Sequence, residues 1–278
     1  IFDCLVGSEM CIRDRADIIW IAAPWQWQTL GADILSRKTI LCTIHHIVPS
    51  KFTEAKMAEF MHRDQFVDAY HVPNKYTASF IKQLTDKPIH QLGYWFDSTL
   101  WQPMDKSEAR SSIGIDEDKY VIGSFQRDTE GSDLVSPKLE KGPDLFCNYV
   151  EKVHAKNLSK TDGDGNPTPL ETVVLLGGWR RQYVMNRLDT ANIPYVYIEM
   201  APYDKLREMY ACCDLYVVAS RVEGGPQALL EAPAMKVPII STRMGSAEFL
   251  LHPNCVIHFD RDVVCLLYTS DAADECLC

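Results

Sequence analysis

The chain has 278 residues, 46% of them hydrophobic and 10% aromatic, which excludes a disordered chain and, at roughly 150 residues per domain, leaves room for two cores. No apolar run approaches the ~20 residues that a membrane-spanning helix needs. The formal net charge of −10, from 38 acidic against 28 basic residues, argues against a nucleic-acid binder held by phosphate neutralisation.

In chain order, the first fifteen residues carry no helical or strand periodicity, and neither do the last fourteen. Cys4–Arg15 and Cys265–Glu275 resemble translated sequencing-adapter DNA, as found at the edges of environmental gene fragments. Met10–Asp14 can be coded by ATG TGT ATA AGA GAC and Cys265–Ser270 by TGT CTC TTA TAC ACA TCT. Read on opposite strands, these are one inverted sequence. Residues 1–15 and 265–278 are therefore expected to be artefacts and are set aside from fold reasoning. Five of the ten cysteines go with them. Those left, Cys42, Cys147, Cys212, Cys213 and Cys255, form neither a C-x-x-C pair nor a disulfide framework and read as buried thiols of a reducing compartment.

From Asp17 short apolar runs alternate with amphipathic ones. Strands are predicted at 18–21, 39–44 and 69–72, and helices at 53–61 and 76–84. After Gly93 the rhythm is lost through Pro103, and a charged helix ending at Gly114 follows, so the domain boundary is placed near residue 105. The second half restarts the alternation. Strands are predicted at 120–125, 172–176, 195–198, 215–219, 237–241 and 256–259. Helices fall at 143–154, 181–188, 203–211 and 226–234, with a short one around Ala247. Alternation of this kind builds parallel sheets, so two doubly wound α/β domains are expected, 16–105 and 106–264, with ligands outside the carboxyl ends of the strands. The loop Thr161–Pro167 contains Asp-Gly-Asp. An EF-hand counted from Asp162 would need an acid where Val173 stands, so the loop reads as a solvent-exposed insertion.

The densest constellation is Val218–Ala232. A strand ends at Ser220, a loop carries Glu223, Gly224 and Gly225, and Pro226 suits a first helical position. Two glycines let a ligand approach the backbone, and the N–H groups of Gly225 and Gln227, either side of Pro226 at the start of a helix, favour phosphate. Glu223 and Glu231, eight residues apart, can face one cleft, and carboxylates accept hydrogen bonds from sugar hydroxyls while repelling phosphate.

Glu223 and Glu231 with their seven intervening residues resemble the E-x7-E signature of retaining glycosyltransferases of the GT-B fold, family four of that classification, also called group 1. Ile122–Arg127 followed by Lys141-Gly142 resembles the family's Gly-Arg … Lys-Gly opening of the nucleotide domain. Val174–Gly178, Lys205–Ser220 and Val237–Ser241 resemble its later strands, and Thr43-Ile44-His45 its strand ending in histidine. This chain departs from the pattern at Gly225-Pro226-Gln227, at Lys236, and in the long acidic loop between Arg127 and Lys141.

The resemblance implies a GT-B fold whose two Rossmann-like domains face a cleft, the N-terminal, acceptor-side one being truncated. It implies transfer of a sugar from a nucleotide diphosphate donor to a sugar, lipid or polysaccharide acceptor, with retention, without nucleic acid, metal or cofactor. Arg127 and Lys141 would neutralise the leaving diphosphate, with Lys138 a rival to Arg127. Glu223 would hold the donor sugar and Glu231 the ribose, with the base near Met200. His45, or its neighbour His46, would reach the sugar from the other domain. A nucleotide-sugar epimerase of the same architecture, and a nucleotide-sugar-binding fragment without turnover, are the alternatives. The family implies a cytoplasmic location and admits peripheral contact with the inner membrane face, although no basic amphipathic helix demands it.

Overall fold

The computed structural model describes residues 16–131 and 133–257, so both tails set aside above lie outside the described residues. The chain divides into two units, one ending at Tyr94 and one beginning at Trp95.

In the first unit, β1 (Ile18–Ile21), β2 (Thr39–Thr43), β3 (Ala69–Val72) and β4 (Ile89–Gln91) form one sheet in the order β1-β2-β3-β4, every pair parallel. A 3-10 turn (Pro24–Thr29) and the short α1 (Ala32–Leu35) join β1 to β2. The longer α2 (Glu54–Asp64) is capped by Thr53, whose side chain accepts the Lys56 N–H, and it carries Glu54 in its first turn and His62 and Arg63 in its last, each sign at the end the helix dipole favours. Asn74 caps α3 (Lys75–Ile81) by accepting the Thr77 N–H at 2.9 Å. Ile40, Cys42, Phe60, Tyr70 and Ile81 are buried together as the core of this unit.

In the second unit, α4 (Lys106–Ile113) starts at the cap Asp105 and ends at Gly114, which takes the left-handed conformation that stops a helix. The following strands are β5 (Tyr120–Phe125), β6 (Thr172–Gly178), β7 (Tyr195–Glu199), β8 (Leu215–Val218), β9 (Ile239–Thr242) and β10 (Val256–Ile257). Between them run α5 (Pro143–Leu158), α6 (Gln182–Thr190), α7 (Tyr203–Cys212), α8 (Ala228–Ala234) and α9 (Ala247–Leu250). The sheet is parallel throughout, in the order β10-β9-β8-β5-β6-β7. Neighbouring residues on one strand enter opposite cores: Val121 and Leu175 pack on one face, Ile122, Val174 and Leu176 on the other. Both faces are covered, as a parallel sheet requires. The sheet grows outward from β5 in both directions, so the order reverses between β5 and β8. The crevice outside the carboxyl ends of those two strands is where such sheets bind ligands.

The division at Tyr94 falls ahead of the boundary expected near residue 105. Trp101, only 4% exposed, explains the shift: its ring stands edge-on to Tyr210, centroids 5.6 Å apart, inside the second core. Arg110 of α4 binds the same unit, donating to Asp214 at 2.7 Å and to the Cys212 carbonyl. The sequence reading also left out α1 and β4. The latter is three residues behind Pro88, too short to show a period.

All five described cysteines are buried, and Cys42, Cys147, Cys212 and Cys213 are free thiols. Burial pushes the Cys42 and Cys212 thiols up to about 11 and Cys147 to about 12. Because the thiolate is the nucleophile, these four free thiols should not react with a thiol reagent at pH 8 in the folded chain and should all react in denaturant. Rapid native labelling of any of them, located by mass spectrometry, would contradict the burial.

Candidate active site in the second unit

The loops after β5 and β8 are tied together at the switch point. The Gln126 amide donates to the Lys141 carbonyl at 3.0 Å, and Ser220 Oγ donates to Gln126 Oε1 at 3.4 Å. The Arg221 N–H donates to the Glu140 carbonyl at 2.8 Å, and its guanidinium grips both carboxylate oxygens of Asp144 at 2.7 and 2.6 Å. Lys141 ends a 3-10 turn (Leu139–Lys141) directly before α5. The result of this clamp is that the Lys141 ammonium donates to Glu223 Oε1. Burial pushes Lys141 down to about 8, helped by the charge of Lys138 and opposed by that of Glu140.

The turn between Lys141 and α5 has no room for a side chain at Gly142. Its φ is +61°, and a Cβ there would stand 1.9 Å from the Ala219 carbonyl oxygen at the end of β8. A left-handed non-glycine residue costs ~1–2 kcal/mol before any clash. Gly142→Ala should therefore lower stability by at least about 3 kcal/mol, the remainder coming from overpacking, seen as a lower denaturant midpoint. A shift under ~1 kcal/mol, about the average cost of any point substitution, would contradict this close approach.

The Glu223 loop is supported from behind. Ser246 Oγ donates to the Gly224 carbonyl at 3.3 Å, Thr242 Oγ1 donates to the Ser220 carbonyl, and Gly245, at φ +51°, backs onto the Glu223 and Gly224 carbonyls. Gly224 and Gly225 are buried, whereas Gln227 is exposed. The helix begins at Ala228, not Pro226; Pro226 and Gln227 instead accept the first turn's bonds from Leu229 and Leu230. At seven residues with Pro233 inside, α8 carries a weaker dipole than the sequence suggested. Glu231 lies within it and accepts from the Tyr210 hydroxyl at 2.8 Å, while burial raises its carboxyl pKa against that bond. Tyr210 packs edge-on to Phe125, 4.9 Å between centroids, so Glu231 rests on an aromatic wall at the end of β5.

Other expected residues stand apart from this clamp. Arg127 donates from Nε to the Thr129 carbonyl at 2.8 Å, and its guanidinium lies 5.5 Å from the Trp179 ring centre beyond β6, so it is not held against Lys141. Lys138 is the cation whose field Lys141 feels. It is brought there because the acidic insertion folds into a hairpin: Lys138 N–H donates to the Asp128 carbonyl at 2.7 Å, and Thr129 bridges Pro137. Met200 takes a left-handed φ of +48° past the end of edge strand β7 and is 71% exposed. The Asp162 loop satisfies itself, Asp162 Oδ1 accepting the N–H groups of Asp164 and Asn166.

The sequence reading missed Arg181. It is fully buried, as is its partner Asp128, whose Oδ2 it contacts at 2.9 Å, and it donates to the carbonyls of Ser124 and Gly177 near the ends of β5 and β6. Nothing in the local pattern separates it from its neighbour Arg180, which stacks on Trp179.

In the first unit, His45 follows β2. Its Nε2 lies 2.8 Å from the Ala22 carbonyl and its Nδ1 2.5 Å from the Tyr94 hydroxyl. A carbonyl only accepts, so Nε2 carries the proton and Nδ1 accepts from Tyr94. Burial lowers the His45 pKa, the Ala22 contact opposing it, and both ring nitrogens are engaged within this unit. His46 is exposed. Among the described residues no helix is long and apolar enough to cross a membrane.

The architecture recurs in solved structures. HepE of Anabaena, crystallised with UDP and glucose, superposes at a TM-score of 0.72 over 96% of this chain and 72% of that one, at 12% identity. Sucrose-phosphate synthase of Thermosynechococcus elongatus gives 0.68 over 96% and 69%, also at 12% identity. These are the paired parallel sheets of the GT-B fold. By sequence, the chain is 24% identical over 196 residues to an N-acetyl-alpha-D-glucosaminyl L-malate synthase of Bacillus anthracis, covering 69% of this chain and 44% of that protein. It is 25% identical over 186 residues to the lipopolysaccharide core biosynthesis mannosyltransferase LpsB of Rhizobium meliloti, covering 66% and 48%. The chain thus spans about half the length of these relatives. Residues 134–267, which contain Lys141, Glu223 and Glu231, match the family described as glycosyl transferases group 1.

Proposed function

We propose that this chain is part of a glycosyltransferase that moves a sugar from a nucleotide diphosphate-sugar to an acceptor, with retention at the anomeric carbon. The observation that carries the reading is the Lys141–Glu223 pair at the β5/β8 switch point, inside the segment that matches the glycosyl transferases. The complexes of HepE with UDP and with UDP-glucose favour a donor of this class.

A departing nucleoside diphosphate gathers negative charge, and a fixed cation lowers the barrier to its departure. Lys141 is that cation, and Lys138 or Arg127 is the second. Incoming diphosphate competes with Glu223 for the ammonium, which frees the carboxylate to accept hydrogen bonds from the donor sugar's hydroxyls. Glu231, fixed by Tyr210, accepts from the ribose. The N–H groups of Gly225 and Gln227, either side of Pro226, face the phosphates, and the base lies toward Met200. His45 would serve the sugar through Nε2–H, which must first leave the Ala22 carbonyl. Among the described residues of the first unit no carboxylate presents itself as a nucleophile, and departure and attack on one face of the sugar is the route to retention favoured by analogy with the family this chain resembles. The acceptor is a sugar, lipid or polysaccharide.

The test is release of UDP from UDP-glucose, with and without candidate acceptors, and the anomeric configuration of any product. Glu223→Ala should reduce the rate by ~10²-fold, the scale of losing one transition-state contact. Glu231→Gln should chiefly raise the donor KM, since a ribose contact is made in ground and transition state alike. Unchanged rates in Glu223→Ala would sink the site assignment.

A further inference from the structure

The first unit contains a cavity of about 250 Å³ between α2, the segment after β1 and the segment after β2. At ~30 Å³ per water it equals about eight waters, which suits a small organic molecule rather than a nucleotide sugar. Its lining is in part aromatic, with Trp25, Phe52 and Phe60, and in part cationic, with Lys51, Lys56 and Arg63 against one carboxylate, Glu59. Glu59 is engaged by Lys56 at 2.9 Å.

Arg63 is the unusual member. It is 5% exposed, yet no ion pair is seen for it among the described residues. Its Nε has no hydrogen-bond partner, one terminal nitrogen makes a long 3.5 Å contact to the Pro24 carbonyl, and the guanidinium otherwise rests on the Phe60 ring, 5.2 Å from its centre. A guanidinium offers five N–H donors, and a buried charge is ordinarily paired. The buried Arg110 and Arg181 of the second unit obey this, each meeting an aspartate. Arg63 instead lines a cavity.

We propose that this cavity is a binding site for a small organic anion, a carboxylate or phosphate monoester. Its charged end meets the Arg63 guanidinium and its apolar body lies against Trp25 and Phe52. Arginine's planar fork matches the two oxygens of either group, and Lys56 adds charge at the same cavity. The inference concerns the first unit alone and holds whether or not the second unit transfers sugar.

Titration calorimetry of the full 278-residue chain with phenyl phosphate, benzoate and inorganic phosphate tests this. Phenyl phosphate or benzoate should bind, and which of them binds more tightly names the anion; inorganic phosphate, lacking the apolar body, should bind at least several-fold more weakly. Arg63→Met should weaken the preferred probe at least tenfold, the scale of a charge-assisted pair, while its melting temperature without ligand equals or exceeds that of the unaltered chain, because a buried charge lacking a partner has been removed. If Arg63→Met does not fold, Arg63→Lys, which keeps the charge and loses the fork, should still weaken binding several-fold. Equal affinity in a folded variant, or no binding of any probe at millimolar concentration, overturns the proposal.

Discussion

Asp128→Ala should destabilise the second unit by about 3–5 kcal/mol, because it leaves the Arg181 charge buried without its partner. Both side chains are 0% exposed and 2.9 Å apart. Against a total stability of ~5–15 kcal/mol, this loss approaches unfolding at ambient temperature. Arg181 also holds the Ser124 and Gly177 carbonyls, so the pair fixes where β5 and β6 end and, with them, the start of the loop carrying Gln126. The double variant Asp128→Leu/Arg181→Met removes both charges and should lose less than Asp128→Ala, though not nothing, since those two carbonyls lose a donor. Denaturant unfolding checks both numbers. A cost under ~1 kcal/mol, an average substitution, would mean that water or another group reaches the arginine.

The second large effect is expected at Lys141. Lys141→Met should slow donor cleavage by ~10²–10³-fold, as loss of a preorganised charge contact does. The pH dependence carries a sign that separates this role from a structural one. With the ammonium pushed down from 10.5 to about 8, the unfolded chain binds more protons than the folded one between those values. The Lys141 contribution therefore makes stability rise with pH across that window. Activity should move the other way, because only the protonated amine neutralises the diphosphate: kcat/KM should fall as pH rises through about 8. Lys141→Arg, which stays charged, should flatten that fall even at a lower absolute rate. A kcat/KM that is level from pH 7 to 10 would deny Lys141 the charge role.

Most of the fold was legible because it is repetitive. Apolar runs such as Val121–Phe125 and Val173–Leu176 announce strands buried on both faces, and Gly114 announces the end of the charged helix before β5. Departures occur where the pattern is short or the decisive contact is long-range. Three residues of β4 cannot display a period, and Trp101 belongs to the second core only through Tyr203 and Tyr210. Glu223 and Glu231 stand out by their spacing and Lys141 by the family resemblance, and Lys141 contacts Glu223. Their supports do not: Gln126, Arg221, Arg181 and Gly245 act across loops fifteen or more residues apart, or through backbone carbonyls that carry no sequence signature. Arg127 fits a family pattern in sequence, yet the hairpin inserted after it brings Lys138 toward Lys141 instead. Arg63 left no trace in the helical pattern of α2, where a basic residue in the last turn is unremarked.

On the proposed function, the β5/β8 switch point binds a nucleoside diphosphate through Lys141 and Glu231. Titration calorimetry with UDP, GDP and ADP tests it without requiring turnover or a known acceptor. At least one should bind the unaltered chain, with affinity at least tenfold lower in Lys141→Met and in Glu231→Ala and unchanged in Arg63→Met. Absence of binding by all three, or equal affinity in folded Lys141→Met and Glu231→Ala, would contradict the account.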